Sequence, residues 1–311
     1  MPLAPVDRIA VTTLVDNYID SLRKDEAIAR RWSAFAARRM PELRAEHGLA
    51  HQVEVTRGRT TTRALFDFGA SPDALVHNLG ELGLDPRGFD LIALSHGHVD
   101  HFGGLLPFLK AHRRRMRPDL VLYAGHDHFL PRWNQRGDDR VYMGRLDRDA
   151  IERWDVEVRE PREPTEMADG LLLSGEVRQA EAFEPIPSNL KVERDGAVVQ
   201  DDLLGEQTLI AHLRDRGLVV ITSCSHRGIV GICRHAARVT GVAKVHAVIG
   251  GFHLSGLGPE RVTAVMDAFR RLGVERLVPQ HCTGLETLGL MLHHMPGQMV
   301  VTSVGSTFVL E

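Results

Sequence analysis

Three cysteines in 311 residues, Cys224, Cys233 and Cys282, are too few and too scattered for a disulfide framework. That scarcity excludes a stapled secreted scaffold and makes a reducing cytoplasm the expected location. The chain also lacks any run near the ~20 consecutive apolar residues of a membrane span. Its first residues, MPLAPVDRIAVTTLVDN, hold no basic stretch followed by a long apolar segment, so no secretory leader is expected. Excess charge of one sign is missing too: 38 Lys and Arg face 41 Asp and Glu, a net charge of -3. Without a basic field or a basic-aromatic stripe, neither nucleic acid nor an anionic membrane surface is an expected partner. Repeats at a solenoid period and low-complexity tracts are absent. What remains is ordinary for a globular protein with a full core, 43% hydrophobic and 25% charged. Histidine is abundant, at 17 residues, and its placement has to carry the functional argument.

Strand-like patterns cover Arg8–Val15, His51–Thr56, Thr61–Phe68 and Asp90–Leu94. Ser71-Pro72-Asp73 has the form of a helix start, followed by the apolar stripe Ala74, Leu75, Leu79 and Leu82 and a stop at Gly83. From about 110 to 187 the pattern is less regular and reads as connecting loops and an inserted region, with a basic cluster at Arg113–Arg117 expected on a solvated face. Gln207–His212 and Leu218–Thr222 suggest a hairpin. Helix near Gly228–Thr240, strand Val245–Ile249, helix near Glu260–Leu272 and strand Arg276–Pro279 then alternate, and Met299–Val304 and Thr307–Leu310 again read as strand. The expectation is a layered α/β fold in one domain spanning 1–311.

The segment Leu91-Ile92-Ala93-Leu94-Ser95-His96-Gly97-His98-Val99-Asp100-His101 is the most informative stretch. An apolar strand ends at Ser95 and four potential ligands follow. On a turn leaving a strand, His96 and His98 can converge on one ion, with Asp100 and His101 directed to a second. Imidazole and carboxylate suit Zn²⁺, and also Mn²⁺ or Fe²⁺. Two divalent ions are therefore the expected cofactors, and Gly103-Gly104 lets the backbone turn tightly into a helix.

His96-x-His98-x-Asp100-His101 resembles the signature of the metallo-β-lactamase superfamily. That resemblance implies a four-layer αβ/βα sandwich with the metals at one edge. Phe66-Asp67-Phe68-Gly69 resembles the superfamily's D-T-G element, which implies that Asp67 supports a metal-binding histidine from behind, with Phe68 in place of the usual Thr. Leu14-Val15-Asp16-Asn17, Glu46-His47-Gly48-Leu49, the Asp202–Gln207 run, Ser223-Cys224-Ser225-His226, Gly250-Gly251-Phe252-His253-Leu254 and His281-Cys282-Thr283-Gly284 also follow a branch pattern. They are similar, in the same order, to sequences related to the dihydropterin ribofuranosylaminobenzene-phosphate synthase of methanopterin biosynthesis. The resemblance implies His226 as the third ligand of the first metal and His281 as the final ligand of the second. Cys224 stands where related hydrolases carry a bridging Asp, as a ligand or as a small buried residue. His253 and His47 are candidates to touch metal or substrate. His126-Asp127-His128 reads as a surface turn, Cys233 as core, and Cys282 as a neighbour of the site.

The resemblance implies an enzyme acting on a small molecule. A metal-dependent hydrolase of an ester, lactone or phosphoester is the leading expectation, with Asp100 ligating metal and orienting the nucleophile. A synthase or transferase for a phosphorylated, dihydropterin-like substrate and a non-catalytic metal-stabilised binding domain are the alternatives. Self-association is compatible with the sequence.

Overall fold

The computed structural model describes residues 3–32, 42–178 and 181–311. Two sheets lie face to face. One runs Glu157–Arg159, Val121–Tyr123, Leu91–Ala93, Thr60–Phe66, Ala50–Arg57, Arg8–Val15, Thr307–Leu310, Ala29–Arg30. The other runs Thr165–Ala168, Leu171–Leu173, Leu209–Leu213, Gly217–Ile221, Val245–Gly251, Arg276–Gln280, with Pro5–Val6 added beside Leu209–Leu213.

Period-two alternation along these strands dictates the layering. In Gly217–Ile221, Val219 and Ile221 enter the core between the sheets, while Leu218 and Val220 enter a second core on the outer face. In Val245–Gly251, Ala247 and Ile249 face inward and Val248 outward, while Val245, across a register shift in its pairing with Gly217–Ile221, also faces outward. That outer core is closed by helices Ile229–Thr240 and Pro259–Leu272 through Ile232, Ala236, Val265 and Phe269. A third core lies on the far side of the first sheet, where Leu65 and Ile92 meet Leu75, Leu79, Leu105 and Phe108 from helices Ala74–Glu81 and Leu105–His112. Three cores separate four layers, the αβ/βα sandwich.

Several local expectations change. Met299–Val304 does not form a strand; only Met299 bridges Leu277, and the segment then bends so that Thr302 and Ser303 bond Gln280 and Asp20 through their hydroxyls. The stretch 110–187 is not a set of loops. Val121–Tyr123 and Glu157–Arg159 extend the first sheet in parallel, and the hairpin Thr165–Ala168 with Leu171–Leu173 extends the second. Strands of three or four residues are too short to show a period, which hid them. Arg132–Arg136 and Asp139–Gly144 pair with Leu190–Arg194 and Ala197–Gln200 in a third, small sheet. In the basic cluster, Arg113 is buried and donates to the carbonyls of Arg117, Pro118 and Asp155, so it ties loops together rather than facing solvent. His126-Asp127-His128 is likewise no surface turn: Asp127 and His128 are buried. Among the described residues no helix is long and apolar enough to cross a membrane.

Arg132 explains the burial of Asp127. Its guanidinium has no exposure, donates to Asp201 Oδ2 at 2.8 Å and lies 3.3 Å from Asp127 Oδ1. It also packs under the His96–His98 turn: a Cβ at Gly97 would strike Arg132 Nη1 and the His128 carbonyl, so only glycine fits there. Arg132→Met removes the buried counter-charge of Asp201 and the nearer of the two arginines beside Asp127, the other being Arg194 at 3.7 Å, and is expected to lower unfolding free energy by about 3–5 kcal/mol. Urea unfolding measures it, and a loss below ~1 kcal/mol would show that the pair is not needed.

Candidate metal centre

Five segments deliver the site, and each leaves the end of a strand. Asp67 follows Thr60–Phe66, His96 and His98 follow Leu91–Ala93, Cys224 and His226 follow Gly217–Ile221, His253 follows Val245–Gly251, and His281 follows Arg276–Gln280. Parallel register keeps these ends level: Phe66 pairs with Ala93, Ile221 with Ile249, and Gly251 with Gln280. Asp67, Ser225, His253 and His281 take positive φ values of 62°, 65°, 48° and 48°. Left-handed backbone is costly for residues with a Cβ and concentrates where surrounding structure imposes it.

The side chains form two donor sets. Asp100, His101, Cys224 and His281 present ligand atoms within 4.8 Å of one another, and so do His96, Cys224 and His226. Cys224 belongs to both. His98 joins the second set, since its Nδ1 lies 3.1 Å from His96 Nε2 and its ring is 4.8 Å from that of His226. Burial keeps these imidazoles neutral: it lowers His96 and His226 well below the usual histidine range and His98 to about 3. Neutral imidazole is the ligand form. Both ring nitrogens of His226 are buried with no hydrogen-bond partner, as is Nε2 of His281. Buried polar atoms without partners are rare, and a cation between these rings satisfies them. The residues fit a pair of divalent ions.

Outer partners aim each ligand. Asp67 Oδ2 accepts from His101 Nδ1 at 2.8 Å, which turns Nε2 towards Cys224 Sγ at 3.2 Å and Asp100 Oδ2 at 3.3 Å. Burial opposes a charge on His101, but the Asp100 and Asp67 carboxylates raise its pKa to about 10. Burial also opposes ionisation of Asp100; His101 and His281 overcome it and hold its carboxyl well below the ordinary range. Ser95 Oγ donates to Asp67 Oδ2 at 2.7 Å and accepts from His96 Nδ1 at 2.8 Å. Ser223 Oγ donates to Asp67 Oδ2 from the opposite sheet. Phe68, where a Thr is usual, lies in the core, and the two serines supply the hydroxyls. Asn17 Oδ1 faces His281 Nδ1 at 3.1 Å, and Asp16 Oδ1 accepts from the His281 backbone N–H at 2.9 Å. Glu206 accepts from the backbone N–H groups of His226 and Arg227, fixing the turn that presents His226.

His253 stacks on His226 with ring centroids 4.2 Å apart, and groups with Cys224 and Cys282. His47 lies at the exposed edge, 3.8 Å from Asp100 Oδ2 and 4.6 Å from the His281 ring. Ser95, Ser223, Asp16, Asn17 and Glu206 had no stated role in the sequence reading. Asp16, Asn17 and Glu206 sat inside ordered motifs that signalled importance without function, and the serines adjoin ligand candidates.

The metallo-beta-lactamase superfamily model matches residues 55–229, more than half the chain and all of the first ligand motif. The chain belongs to the metallo-beta-lactamase superfamily. It is 28% identical over 302 residues to the 7,8-dihydropterin-6-methyl-4-(beta-D-ribofuranosyl)-aminobenzene-5'-phosphate synthase of Methanocaldococcus jannaschii, covering 94% of this chain and 93% of that one. An uncharacterised protein of the same organism is 30% identical over 78% of this chain and 86% of its own. Among solved structures, Tm1679, described as a metal-dependent hydrolase of the beta-lactamase superfamily, superposes with TM-score 0.73 at 27% identity, covering 97% of this chain and 98% of that one.

Two outcomes follow for this superfamily member. Cobalt-substituted protein is expected to show a thiolate-to-cobalt charge-transfer band that Cys224→Ser abolishes and Cys282→Ser keeps; a band surviving Cys224→Ser would remove Cys224 from the donor set. The second concerns His51, buried behind the site with its Nε2 on Gln280 Oε1 at 2.7 Å. Burial lowers its pKa from 6.5 to about 4. Below pH 6.5 the unfolded chain therefore takes up a proton that the folded chain refuses, and stability falls as pH drops towards 4. The full contribution is roughly 3 kcal/mol. His51→Gln is expected to show a shallower acid decline in denaturant midpoint, and an unchanged slope would contradict it.

Proposed function

We propose that the chain is a metal-dependent hydrolase using two divalent ions, with zinc suited to this donor chemistry, against a small ester, lactone or phosphoester. The observation that carries the reading is the meeting of two donor sets at Cys224, one including the Asp100 carboxylate and the other built on the three neutral imidazoles of His96, His98 and His226. The likeness to Tm1679 along the whole chain supports it. Bound ions at such a centre supply Lewis acidity and bring the pKa of a water near ~7.

The chain's own groups do the rest. Asp100 Oδ2 faces both His101 and His281 at 3.3 Å and is the carboxylate that orients the attacking water and relays its proton to the leaving-group oxygen. His47, at the exposed edge 3.8 Å from Asp100 Oδ2, is placed to exchange protons between that carboxylate and solvent. Asp67 holds His101 in one tautomer throughout. A cleft of about 580 Å³ opens from His226 and His253 and receives the substrate.

The 28% identity to the synthase over nearly the whole of both chains favours a second reading. There the same donors would hold ions that stabilise the pyrophosphate leaving group of a dihydropterin-like substrate. Metal-loaded protein assayed against esters, lactones and phosphodiesters, and separately for pyrophosphate release from a dihydropterin diphosphate, separates the two. Turnover of the first panel is expected; pyrophosphate release alone would replace hydrolase with synthase. In either case His96→Ala and His98→Ala are expected to lower kcat/KM by more than ~100-fold, beyond the ~10–100-fold that losing an outer partner costs. Full activity in folded variants would defeat both readings.

A further inference from the structure

The cleft beside the donor sets is lined by His226 and His253. Its walls mix apolar side chains, Pro185, Pro187, Phe252, Leu254 and Leu257, with the polar Ser188, Asn189 and Ser255. At about 580 Å³ the space matches a small organic molecule rather than a peptide segment.

Among the described residues the acidic and basic side chains that line it, besides the two histidines, are Glu184 and Arg261. Glu184 is already engaged: its carboxylate oxygens accept from the backbone N–H groups of Val230 and Gly231 at 3.1–3.2 Å. Arg261 is half-buried and has no hydrogen-bond or ion-pair partner among the described residues. Elsewhere buried or half-buried arginines are matched, as Arg132 is by Asp127 and Asp201 and Arg31 by Glu26. A guanidinium left unmatched in the space that His226 and His253 also line is a complement for an anionic group on a partly apolar molecule bound there. A planar five-donor fork suits phosphate.

We propose that Arg261 is a specificity-determining residue that binds a phosphate group of the substrate remote from the bond that reacts. The substrate class is then an organophosphate with a partly apolar body, its reacting bond near His226 and its phosphate at Arg261. This rests on the proposed activity only in taking the donor sets as the reacting end.

Calorimetric titration of the metal-loaded full chain with benzylphosphonate tests the assignment without requiring turnover. Arg261→Gln is expected to weaken binding by about tenfold or more and to flatten its salt dependence, with Arg261→Lys recovering part of the loss and bound metal unchanged in both. Equal affinity in the unsubstituted chain and Arg261→Gln would place the phosphonate on the ions and overturn the proposal. So would an unsubstituted chain that does not bind the probe at millimolar concentration. A chain inactive on every ester and phosphoester that still shows the Arg261→Gln loss would remove the hydrolytic reading and support the Arg261 assignment.

Discussion

The Asp67 carboxylate joins the two halves of the sandwich at the point where the ligands converge. It accepts from the Ser95 backbone and hydroxyl, from His101 Nδ1 and from the Ser223 hydroxyl. Ser95 and His101 belong to the half that carries the first ligand motif, and Ser223 to the other sheet. One buried group therefore fixes the spacing between donors that share no local sequence. It also sets the proton on His101, and through Ser95 the proton on His96. Removing it would leave four buried donors without that acceptor, where an unmade hydrogen bond is costly.

The fold makes such a hub possible because parallel strands end level with one another. Five strand ends on one edge present their following residues to a common space, and left-handed turns at Asp67, Ser225, His253 and His281 swing the side chains into it. The strain is local. It is held by backbone bonds from buried carboxylates, Asp16 to the His281 N–H and Glu206 to the His226 N–H. Burial raises the pKa of Asp16 to about 6 and of Glu206 to about 7, so the acids that hold these turns lie close to their own titration.

The extent to which this was legible in the sequence follows from the range of each interaction. His96, His98, Asp100 and His101 announce themselves because six residues after a strand end confine their geometry. The long amphipathic helices were legible too, since Val262, Val265, Met266 and Phe269 repeat with the helical period and do pack on the sheet. Ser223 carried no such signal: its role exists only because a strand from the opposite sheet ends beside Asp67. The three-residue strand Val121–Tyr123 was missed because a buried parallel strand of that length has no alternation to display. Asp127 and His128 looked like a polar turn because the residue that draws them inward, Arg132, gains its meaning from Asp201, 69 positions away.

Sulfur at the shared position changes what the centre demands of its surroundings. A carboxylate there would be charged before any ion arrived and would need a counter-charge in the empty fold. Burial pushes the Cys224 thiol up, so a neutral group stands at the junction of the two donor sets. A thiol ligates only after losing its proton, which makes ion uptake and proton release one event. The neutral imidazoles of His96, His98 and His226 follow the same logic, held uncharged by burial rather than by partners. The one carboxylate donor in either set, Asp100, is also the partly exposed one, at 18% for its side chain, and it faces the histidine whose charge balances it. Among the ligand candidates charge is thus concentrated on Asp100 and His101, and the neutral imidazoles of His96, His98 and His226 are the positions where a cation has most to gain.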